Sequence, residues 1–533
     1  MKKKKTFAVA ILTILAQCLY TTANPNQNHA GAPTMNIVTY EDFGAKGDGK
    51  TDDIAAIAKA HAYANLHELT VKANDNATYY IGGQDNTVVI QTDTDFGDAK
   101  FIINDTDVKN HRASIFKVLS KSQPIKPKGI KFLKKNQRNI DAPLPQDCVV
   151  CVTNANIKHY IRRGLNQNKG DSQKDLFIVR KNGEIDENTP ILWDFEQITD
   201  IIAYPIDTTP LTIRGGHFTT IANTAESKYT YYARGIAINR SNVLIQGLTH
   251  RITNEGNHGA PYNGFILISN CTNTTVRDTT LNGHKTYQTI GSVGKPVSMG
   301  SYDISVGNAL NISFLNCNQF DDIKAPTHWG IMGSNYCKNL LYEQCKLSRF
   351  DAHQGVYNAT IRNSILGRSG INAIGSGKLI IENTTVYGNS FINLRSDYGS
   401  TWHGEVLIKN CIFIPACGRR VQSSLINGFN DGQHNFGYPC AMPSRITIEQ
   451  LHIDDSNHPK NYHGPALFAD FNPRFTDASY VEKYPYTKTR EVILSGISTA
   501  SGKPLRISKN PVMFQHVILT HKGKLEEKKA IRK

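Results

Sequence analysis

Short segments in which apolar and polar residues alternate recur between residues 311 and 414, and each leads into an Asn or a Gln. The alternation is clear at 312–314, 379–381 and 406–408. The polar pairs that end these segments lie roughly 19 to 28 residues apart: Asn316-Cys317, Gln344-Cys345, Asn363-Ser364, Asn383-Thr384 and Asn410-Cys411. Such a period is typical of a solenoid, in which stacked repeats complete one another's core. We therefore predict an all-β fold, a right-handed parallel β-helix.

The residues at the repeat corners support this fold. Asn tolerates the left-handed backbone conformation that a sharp corner needs, and its amide can bond to the Asn of the next coil. Cysteine, which packs as a small hydrophobe, occupies the neighbouring slot, so we expect buried thiols at these positions. A β-propeller would show a period of about 40 residues with a Trp-Asp signature, and the sequence has neither.

The chain begins with four consecutive lysines, an apolar stretch over 7–20 and small residues at 21–23. This pattern indicates a secretory signal over 1–23 and a secreted, periplasmic or outer-membrane-associated bacterial protein. Residues 15–18 also resemble a lipobox apart from Gln17, so a lipid anchor at Cys18 is a second interpretation. We expect residues 36–533 to form one β-helix domain, with an N-terminal cap over 36–70 and irregular coils over 418–533. We expect it to be a monomer.

The charge of the chain narrows the choice of partner. Loss of residues 1–24 would lower the formal charge from +15 to +11, and this excess favours a polyanion. A nucleic acid is disfavoured because the chain carries a secretion signal and lacks a recognisable reader motif. Cys148 and Cys151 form a lone C-x-x-C without the second pair that a zinc site requires, so we predict no structural metal. An acidic polysaccharide outside the cytoplasm fits the charge best.

Residues 38–53, with the sequence VTYEDFGAKGDGKTDD, precede a helical segment that begins at Ile54. This stretch resembles the N-terminal signature of the pectate-lyase-like superfamily, and the resemblance continues weakly to about residue 415. It implies a parallel β-helix with a capping helix, in a group that contains polysaccharide lyases, hydrolases, epimerases and phage tailspikes. We expect Asp52 and Asp53 to serve the cap rather than catalysis.

Fold alone does not choose among these activities, so the candidate residues must. Hydrolysis needs two carboxyl groups that face each other across the sugar, and the candidates are not clearly in register: Asp321, Asp322, Asp351 and Asp397. Lysis of a uronate polymer instead needs a group that neutralises the carboxylate, a base and a proton donor. Residues 391–404 supply Asn, Arg, Tyr and His within a long, aromatic excursion between strands.

The repeat aligns polar residues into one column, where we predict the active site. His353 and His328 are the acid/base candidates, because imidazole titrates near neutral pH; a stacked histidine ladder is the alternative. Arg395 is predicted to clamp the substrate carboxylate with two hydrogen bonds; a solvated arginine is the alternative. Tyr398 is predicted to protonate the leaving oxygen, unless it is only a packed aromatic.

Other residues are candidates for substrate binding. Asn372 and Asn393 would bind the uronate carboxylate or form a structural amide ladder. Trp402 and His403 would form a sugar-binding wall. Lys285 would hold an anionic group at a neighbouring subsite, unless it is only a solvated lysine in a turn. Asp351 would orient His353, or bind calcium together with Asp321 and Asp322; calcium thus stays open as a cofactor.

These residues favour a lyase that cleaves an acidic, uronate-containing polysaccharide by β-elimination. The basic charge favours a glycosaminoglycan such as chondroitin sulfate, dermatan sulfate or hyaluronan over pectin. A glycoside hydrolase of the same fold that uses paired Asp residues is one alternative. A β-helix adhesin that binds carbohydrate without cleaving it is the other.

Overall fold

The computed structural model describes residues 37–226, 230–256, 260–282, 285–320, 322–325, 329–330, 333–415, 423–474, 479–507, 518–521 and 524–527. For 285–288, 519–521 and 524–527 only the backbone is described. Within these ranges no helix is long and apolar enough to span a bilayer.

The N-terminal part contains one helix and seven short strands. They are β1 (Ile37–Thr39), β2 (Asp48–Asp52), α1 (Ile54–His67), β3 (Thr70–Lys72), β4 (Thr78–Ile81), β5 (Val88–Ile90), β6 (Thr94–Asn104) and β7 (Phe116–Leu119), with a 3-10 turn at Glu41–Phe43. Three further strands follow: β8 (Cys148–His159), β9 (Asp171–Val179) and β10 (Asp200–Pro205).

The central strands begin with β11 (Leu211–Ile221), β12 (Ile236–Asn239), β13 (Val243–Gln246), β14 (Thr249–Thr253), β15 (Ile266–Arg277), β16 (Thr280–Leu281), β17 (Lys285–Ile290) and β18 (Pro296–Gly300). The next are β19 (Ile304–Leu315), β20 (Asn318–Gln319), β21 (Ser334–Glu343), β22 (Lys346–Leu347), β23 (Phe350–Arg362), β24 (Ile365–Leu366), β25 (Ile371–Glu382), β26 (Thr385–Gly388) and β27 (Ser390–Leu394). A 3-10 turn at Ser396–Tyr398 leads into β28 (Trp402–Pro415).

The last strands are β29 (Ser424–Asn427), β30 (Arg445–Ile453), β31 (Ala466–Phe468), β32 (Glu491–Ser495), β33 (Ser498–Thr499), β34 (Ile518–His521) and β35 (Lys524–Glu527). Most of the strands outside the β8–β10 and β17–β18 segments pair in parallel with the coil before and the coil after, as in the run β15, β19, β21, β23, β25, β28, β30 and β32. The predicted right-handed parallel β-helix is therefore confirmed.

The corners of the coils show why the repeat carries Asn. The predicted corner residues all have a positive φ: Asn316, Gln344, Asn363, Asn383 and Asn410. The side-chain amide of Asn383 also donates to Asn363 Oδ1 on the coil before, at 3.1 Å. Inside the coils the alternating apolar residues form one continuous core. The corner thiols of Cys317, Cys345 and Cys411 are buried in it, as expected. Cys271 is also buried, but its register aligns it with Ala309 and Cys337 in a different column.

Helix α1 closes the first coil. The Asp52 carboxylate accepts a hydrogen bond from the first helical N–H, that of Ile54, at 3.2 Å. The buried Asp53 carboxylate accepts from the N–H groups of Lys46 and Gly47 at 2.7 and 3.1 Å. Both carboxylates thus hold the cap together, because each satisfies backbone donors that the turn leaves unpaired.

Strands β8, β9 and β10 form a separate antiparallel sheet inserted between β7 and β11. We refer to residues 120–206 as the insertion. It has its own small apolar core, which includes Leu133, Phe177 and Phe195. Buried contacts fasten it to the coils: Lys338 Nζ lies 2.8 Å from Asp175 Oδ1, and both side chains are at most 4% exposed. Arg163 also pairs with Asp431 at 3.2 Å.

Candidate active site

Four strands of successive coils place one column of polar residues in register. Asp351 on β23 pairs with Asn372 on β25, which pairs with Asn393 on β27, which pairs with Asn427 on β29. Residues 21 positions apart in the first two steps, and 34 apart in the step to Asn427, thus become vertical neighbours.

The asparagines of this column form an amide ladder. Asn393 Nδ2 donates to Asn372 Oδ1 at 2.7 Å, and Asn427 Nδ2 donates to Asn393 Oδ1 at 3.2 Å. Asn372 Nδ2 in turn donates to the Ser369 carbonyl at 3.1 Å. Much of the hydrogen-bonding capacity of Asn372 and Asn393 is therefore used within the protein, which favours the structural alternative for both residues.

Beside this column lies a cavity of about 450 Å³, here called the arginine pocket. Three arginines line it, one from the insertion, one from the corner before β23 and one from the turn after β27. Its lining includes Arg162, Arg349, Arg395, Asp351, His353, Asn372, Tyr398, Tyr302, Trp329 and Asn335. The structure therefore brings together His353, Arg395, Tyr398, Asn372 and Asp351 of the predicted site.

His353 is held as a neutral imidazole. Burial, followed by the charges of Arg395, Arg162 and Arg349, lowers the pKa of His353 well below its ordinary value. Its Nδ1 lies 2.8 Å from the side-chain oxygen of Asn335. Because an amide oxygen only accepts, Nδ1 carries the proton and Nε2 keeps the free lone pair. This tautomer is the one that a general base needs at Nε2.

Arg395 is already paired with a carboxylate of its own chain. Its Nε and Nη2 bond to the two oxygens of Asp397 at 3.1 and 2.7 Å. The Asp397 carboxylate therefore occupies the Nε–Nη2 edge of the guanidinium group. Nη1 has two N–H groups and Nη2 keeps one, so a two-point contact with a substrate carboxylate would have to use the Nη1–Nη2 edge. The clamp stays a prediction.

Asp397 also holds an arginine of the insertion. Arg162 Nε donates to Asp397 Oδ2 at 2.8 Å, from a position 235 residues earlier in the chain. Burial raises the pKa of Asp397, but the charges and hydrogen bonds of Arg395 and Arg162 outweigh it and keep the pKa below its ordinary value. The carboxylate therefore stays ionised and fixes both guanidinium groups.

Tyr398 lies against both of these arginines. The guanidinium carbons of Arg395 and Arg162 are 5.0 and 5.2 Å from its ring centroid, and the His353 ring packs edge-on at 5.4 Å. Burial raises the pKa of Tyr398 to about 12, although Arg162 and Arg395 oppose the rise. The hydroxyl therefore carries its proton at neutral pH and can donate it.

Asp351 was expected to orient His353, but it does not contact the imidazole. Its carboxylate bonds to Nη2 of Arg349, in a pair that is 1% and 8% exposed, and Asn335 takes the place beside the imidazole. Arg349 also lies over the Trp329 ring at 4.7 Å and donates to the Tyr302 hydroxyl at 3.3 Å. The pair thus forms a fixed wall of the arginine pocket.

The charges of the site do not cancel. The guanidinium groups of Arg162, Arg349 and Arg395 face the carboxylates of Asp351 and Asp397, which leaves one net positive charge. Among the described lining residues Asp351 is the one carboxylate. Within the same described part of the chain, no cluster of three His, Cys, Asp or Glu side chains is placed to hold a metal ion.

The remaining predicted residues lie elsewhere. Trp402 is fully buried in the coil core and donates from Nε1 to the Gly377 carbonyl at 3.1 Å. A sugar cannot reach it, so the expected wall is wrong for Trp402. His403 is exposed and lines a different cavity. His328 and Asp321 lie outside the described residues, and so does the side chain of Lys285.

Several residues of the arginine pocket were not predicted. Arg349 precedes Asp351 by two positions, and because side chains two positions apart on an extended strand share a face, this spacing could have found it. Asn335 sits one coil earlier and could have been found in the same way. Arg162 had no such signal, because nothing local in the sequence shows that the insertion folds back onto the coils.

A scan against known protein families found no match. One curated protein, the capsule KL64-specific depolymerase of Klebsiella phage P510, is 31% identical over 133 residues. The alignment covers 21% of this chain and 13% of the depolymerase, so the match spans about an eighth of that protein's length.

Solved structures of phage tailspikes are also similar. The tailspike protein gp49 from Pseudomonas phage LKA1 matches 91% of this chain and 78% of its own, with a TM-score of 0.52 and 13% identity. What they share is the parallel β-helix. The gp54 tailspike of Acinetobacter baumannii bacteriophage AP22, solved in complex with capsular saccharide of that bacterium, has a TM-score of 0.47 and 10% identity, over 91% of this chain and 79% of its own.

Proposed function

We propose that this protein is a polysaccharide lyase that cleaves an acidic, uronate-containing polysaccharide by β-elimination. The observation that carries the proposal is the arginine pocket, which combines a neutral imidazole, a protonated tyrosine and one net positive charge. The similarity of one segment to a capsule depolymerase supports a polysaccharide substrate. The resemblance of residues 38–53 to pectate-lyase-like proteins supports a fold group that includes polysaccharide lyases, although the fold does not select this reaction.

The first task of the site is to make the C5 proton of the uronate removable. Binding of the uronate carboxylate beside Arg395, Arg162 and Arg349 would neutralise its charge and stabilise the enolate that forms when the proton leaves. The carboxylate also brings a negative charge close to His353. This charge opposes the arginines and makes the imidazole a stronger base in the complex than in the free protein.

The elimination then needs one base and one acid. His353 Nε2 takes the C5 proton, and the electron pair of that bond forms the double bond between C4 and C5 as the C4–O bond breaks. Tyr398 donates its hydroxyl proton to the departing oxygen. The tyrosinate that remains lies against Arg395 and Arg162, which stabilise its charge until it regains a proton from His353 or from water.

The pocket favours this reaction over hydrolysis. A glycosidase requires two carboxyl groups across the scissile bond, whereas the described lining offers Asp351 alone, already bonded to Arg349. We further propose that the polymer is a glycosaminoglycan such as chondroitin sulfate, dermatan sulfate or hyaluronan rather than pectin, because the chain is basic. A basic, secreted protein would meet such polymers outside the cell.

The test is to incubate the purified protein with these glycosaminoglycans, with polygalacturonate and with bacterial capsular polysaccharides. Lysis produces the ultraviolet absorbance of an unsaturated uronate. His353→Ala and Tyr398→Phe should each reduce the rate about 10²- to 10⁴-fold, because each removes one proton-transfer group. His452→Ala is the matched control, since His452 lies on β30 outside the pocket and bonds to Ser498.

Each competing activity gives a different result. New reducing ends without the chromophore would show hydrolysis and refute the lyase mechanism. Binding without any product would show a carbohydrate-binding protein instead. Full activity of both His353→Ala and Tyr398→Phe would refute the assigned roles even if the chromophore appears.

A further inference from the structure

A second cavity of about 310 Å³ lies between the insertion and the coils, here called the insertion cavity. The insertion contributes Lys174 and Trp193, the coils contribute Tyr336 and Tyr357, and the segment before β30 contributes Tyr438. None of the described residues that line it also lines the arginine pocket. The insertion cavity is therefore a separate space, and the mechanism does not use it.

The floor of the insertion cavity is a second in-register column. Lys338 on β21 pairs with Tyr357 on β23, which pairs with Ser376 on β25, which pairs with His403 on β28. Ser376 follows Asn372 by four positions on the same strand, so the two columns are about 13 Å apart along the strands. A polymer that lies parallel to the strands would therefore meet both cavities.

The lining of the insertion cavity suits a sugar ring with an acidic group. Trp193 and four tyrosines line the cavity with flat apolar faces and polar edges, which suit the C–H face and the hydroxyls of a pyranose. Lys174 Nζ lies 5.3 Å from the Tyr336 ring centroid, and the exposed Lys135 stands at the same cavity. Lys338 is not available to a ligand, because it is bonded to Asp175 and to the Pro190 carbonyl.

Packed tyrosine side chains lie between the two cavities, so a change at one cavity can be transmitted to the other. Tyr160 packs on Tyr438 and Tyr398, with ring centroids 4.6 and 6.4 Å away. The Tyr438 hydroxyl donates to the backbone carbonyl of Tyr398. A ligand that packs on Tyr438 would thus also steady the turn that carries the proton donor.

We propose that the insertion cavity is a distal subsite, which binds a further sugar residue of the same acidic polysaccharide through ring stacking and through Lys174 and Lys135. This inference rests on the proposed function and adds to it that the substrate is recognised over several residues. It predicts that long chains bind in a way that short ones cannot.

The three tryptophans of the chain provide a site-specific readout. Trp193 lines the insertion cavity, Trp329 lines the arginine pocket and Trp402 is buried in the core. In the Trp329→Phe variant, a change in fluorescence on ligand binding therefore comes from Trp193 and reports on the insertion cavity. In the Trp193→Phe variant it comes from Trp329 and reports on the arginine pocket. Each variant would be titrated with a short and a long oligosaccharide of chondroitin sulfate and of polygalacturonate.

We expect the short oligosaccharide to change the emission of Trp193→Phe alone, and the long one to change the emission of both variants. If the long oligosaccharide leaves Trp329→Phe unchanged while Trp193→Phe responds, the distal subsite is refuted and the proposed function stands. Unchanged fluorescence of both variants with both oligosaccharides would overturn both proposals for these polymers.

A kinetic experiment tests the charge that the subsite uses. Lys174→Met should raise KM for the cleaved polymer about tenfold, since one charge-assisted contact is lost. Lys131→Met is the matched control, because Lys131 is exposed and lines neither cavity. An unchanged KM in Lys174→Met would contradict the assigned role of this lysine.

Discussion

Replacement of Arg395 by Gln tests the electrostatic design of the arginine pocket. The change removes one of three guanidinium groups, so the net charge of the site falls from one positive to zero. The transition state loses one preorganised partner for the uronate charge, and such losses reduce turnover about 10²- to 10³-fold, or about 2.7 to 4 kcal/mol. Asp397 keeps its contact with Arg162 at 2.8 Å, so the turn should stay folded.

The pH profile of Arg395→Gln carries the sharper signature. Among the charged groups, Arg395 contributes most to the lowered pKa of His353, so its removal raises that pKa. A general base must be deprotonated, and the acidic limb of kcat/KM against pH therefore moves to higher pH. Arg162→Gln should move the limb in the same direction but less, because Arg162 contributes less to the pKa of His353.

Arg395→Lys is the matched control for charge. It keeps the positive charge but loses the two-point contact with Asp397, so turnover should fall while the acidic limb stays where it is in the wild type. The measurement is initial-rate absorbance of the unsaturated product over a range of pH, with circular dichroism to verify folding. An acidic limb that moves to lower pH in Arg395→Gln would refute the assignment of His353 as the base.

Three further predictions concern stability. Lys338→Met should lower the free energy of unfolding by about 3 to 5 kcal/mol, because it leaves the buried Asp175 carboxylate without its positively charged partner. Urea denaturation measures this change. An unchanged free energy of unfolding would contradict the role of the Lys338–Asp175 pair in fastening the insertion to the coils. Asn383→Ala should lower the free energy of unfolding by about 1 to 2 kcal/mol, because Ala would have to adopt the positive φ of 47° at this corner. Asn383→Gly should lower it less, since Gly adopts a positive φ without strain. Equal losses in the two variants would argue against backbone strain at the corner. Burial lowers the pKa of His61 and His250 to about 3. Between pH 6.5 and 3 each of these histidines binds a proton in the unfolded chain but not in the folded protein. The free energy of unfolding therefore does not depend on them above pH 6.5 and falls by about 1.4 kcal/mol per pH unit for each histidine as the pH drops toward 3. His250→Phe should therefore reduce the difference between the urea midpoints at pH 7 and pH 5.

The fold could be predicted from sequence because the β-helix repeats one local rule. Each coil needs an apolar alternation and a corner residue that accepts a positive φ, and Asn316, Asn363 and Asn383 show both signals. The vertical alignment of Asn372 with Asn393 follows from the same rule, since equal steps along the repeat give neighbouring positions on adjacent coils.

The partners of the site residues were less predictable. Arg395 and Asp397 are two positions apart, yet the sequence does not show that they bond to each other rather than to a ligand. Trp402 follows an aromatic excursion, but the register that turns it into the core depends on its pairing with Gly375. Arg162 comes from a segment with its own antiparallel sheet, which obeys no repeat rule, and only the folded chain brings it to the pocket.

The insertion between β7 and β11 makes recognition and scaffold separable. The coils contribute the proposed base and the proposed proton donor. The segments between the strands of the insertion contribute Arg162 to one cavity and Trp193 to the other. Exchange of this single segment is expected to change the sugar preference while His353 and Tyr398 stay in place on the coils. Variation among homologues should therefore concentrate in the grafted module, and chimeras that swap it are the natural route to new specificities.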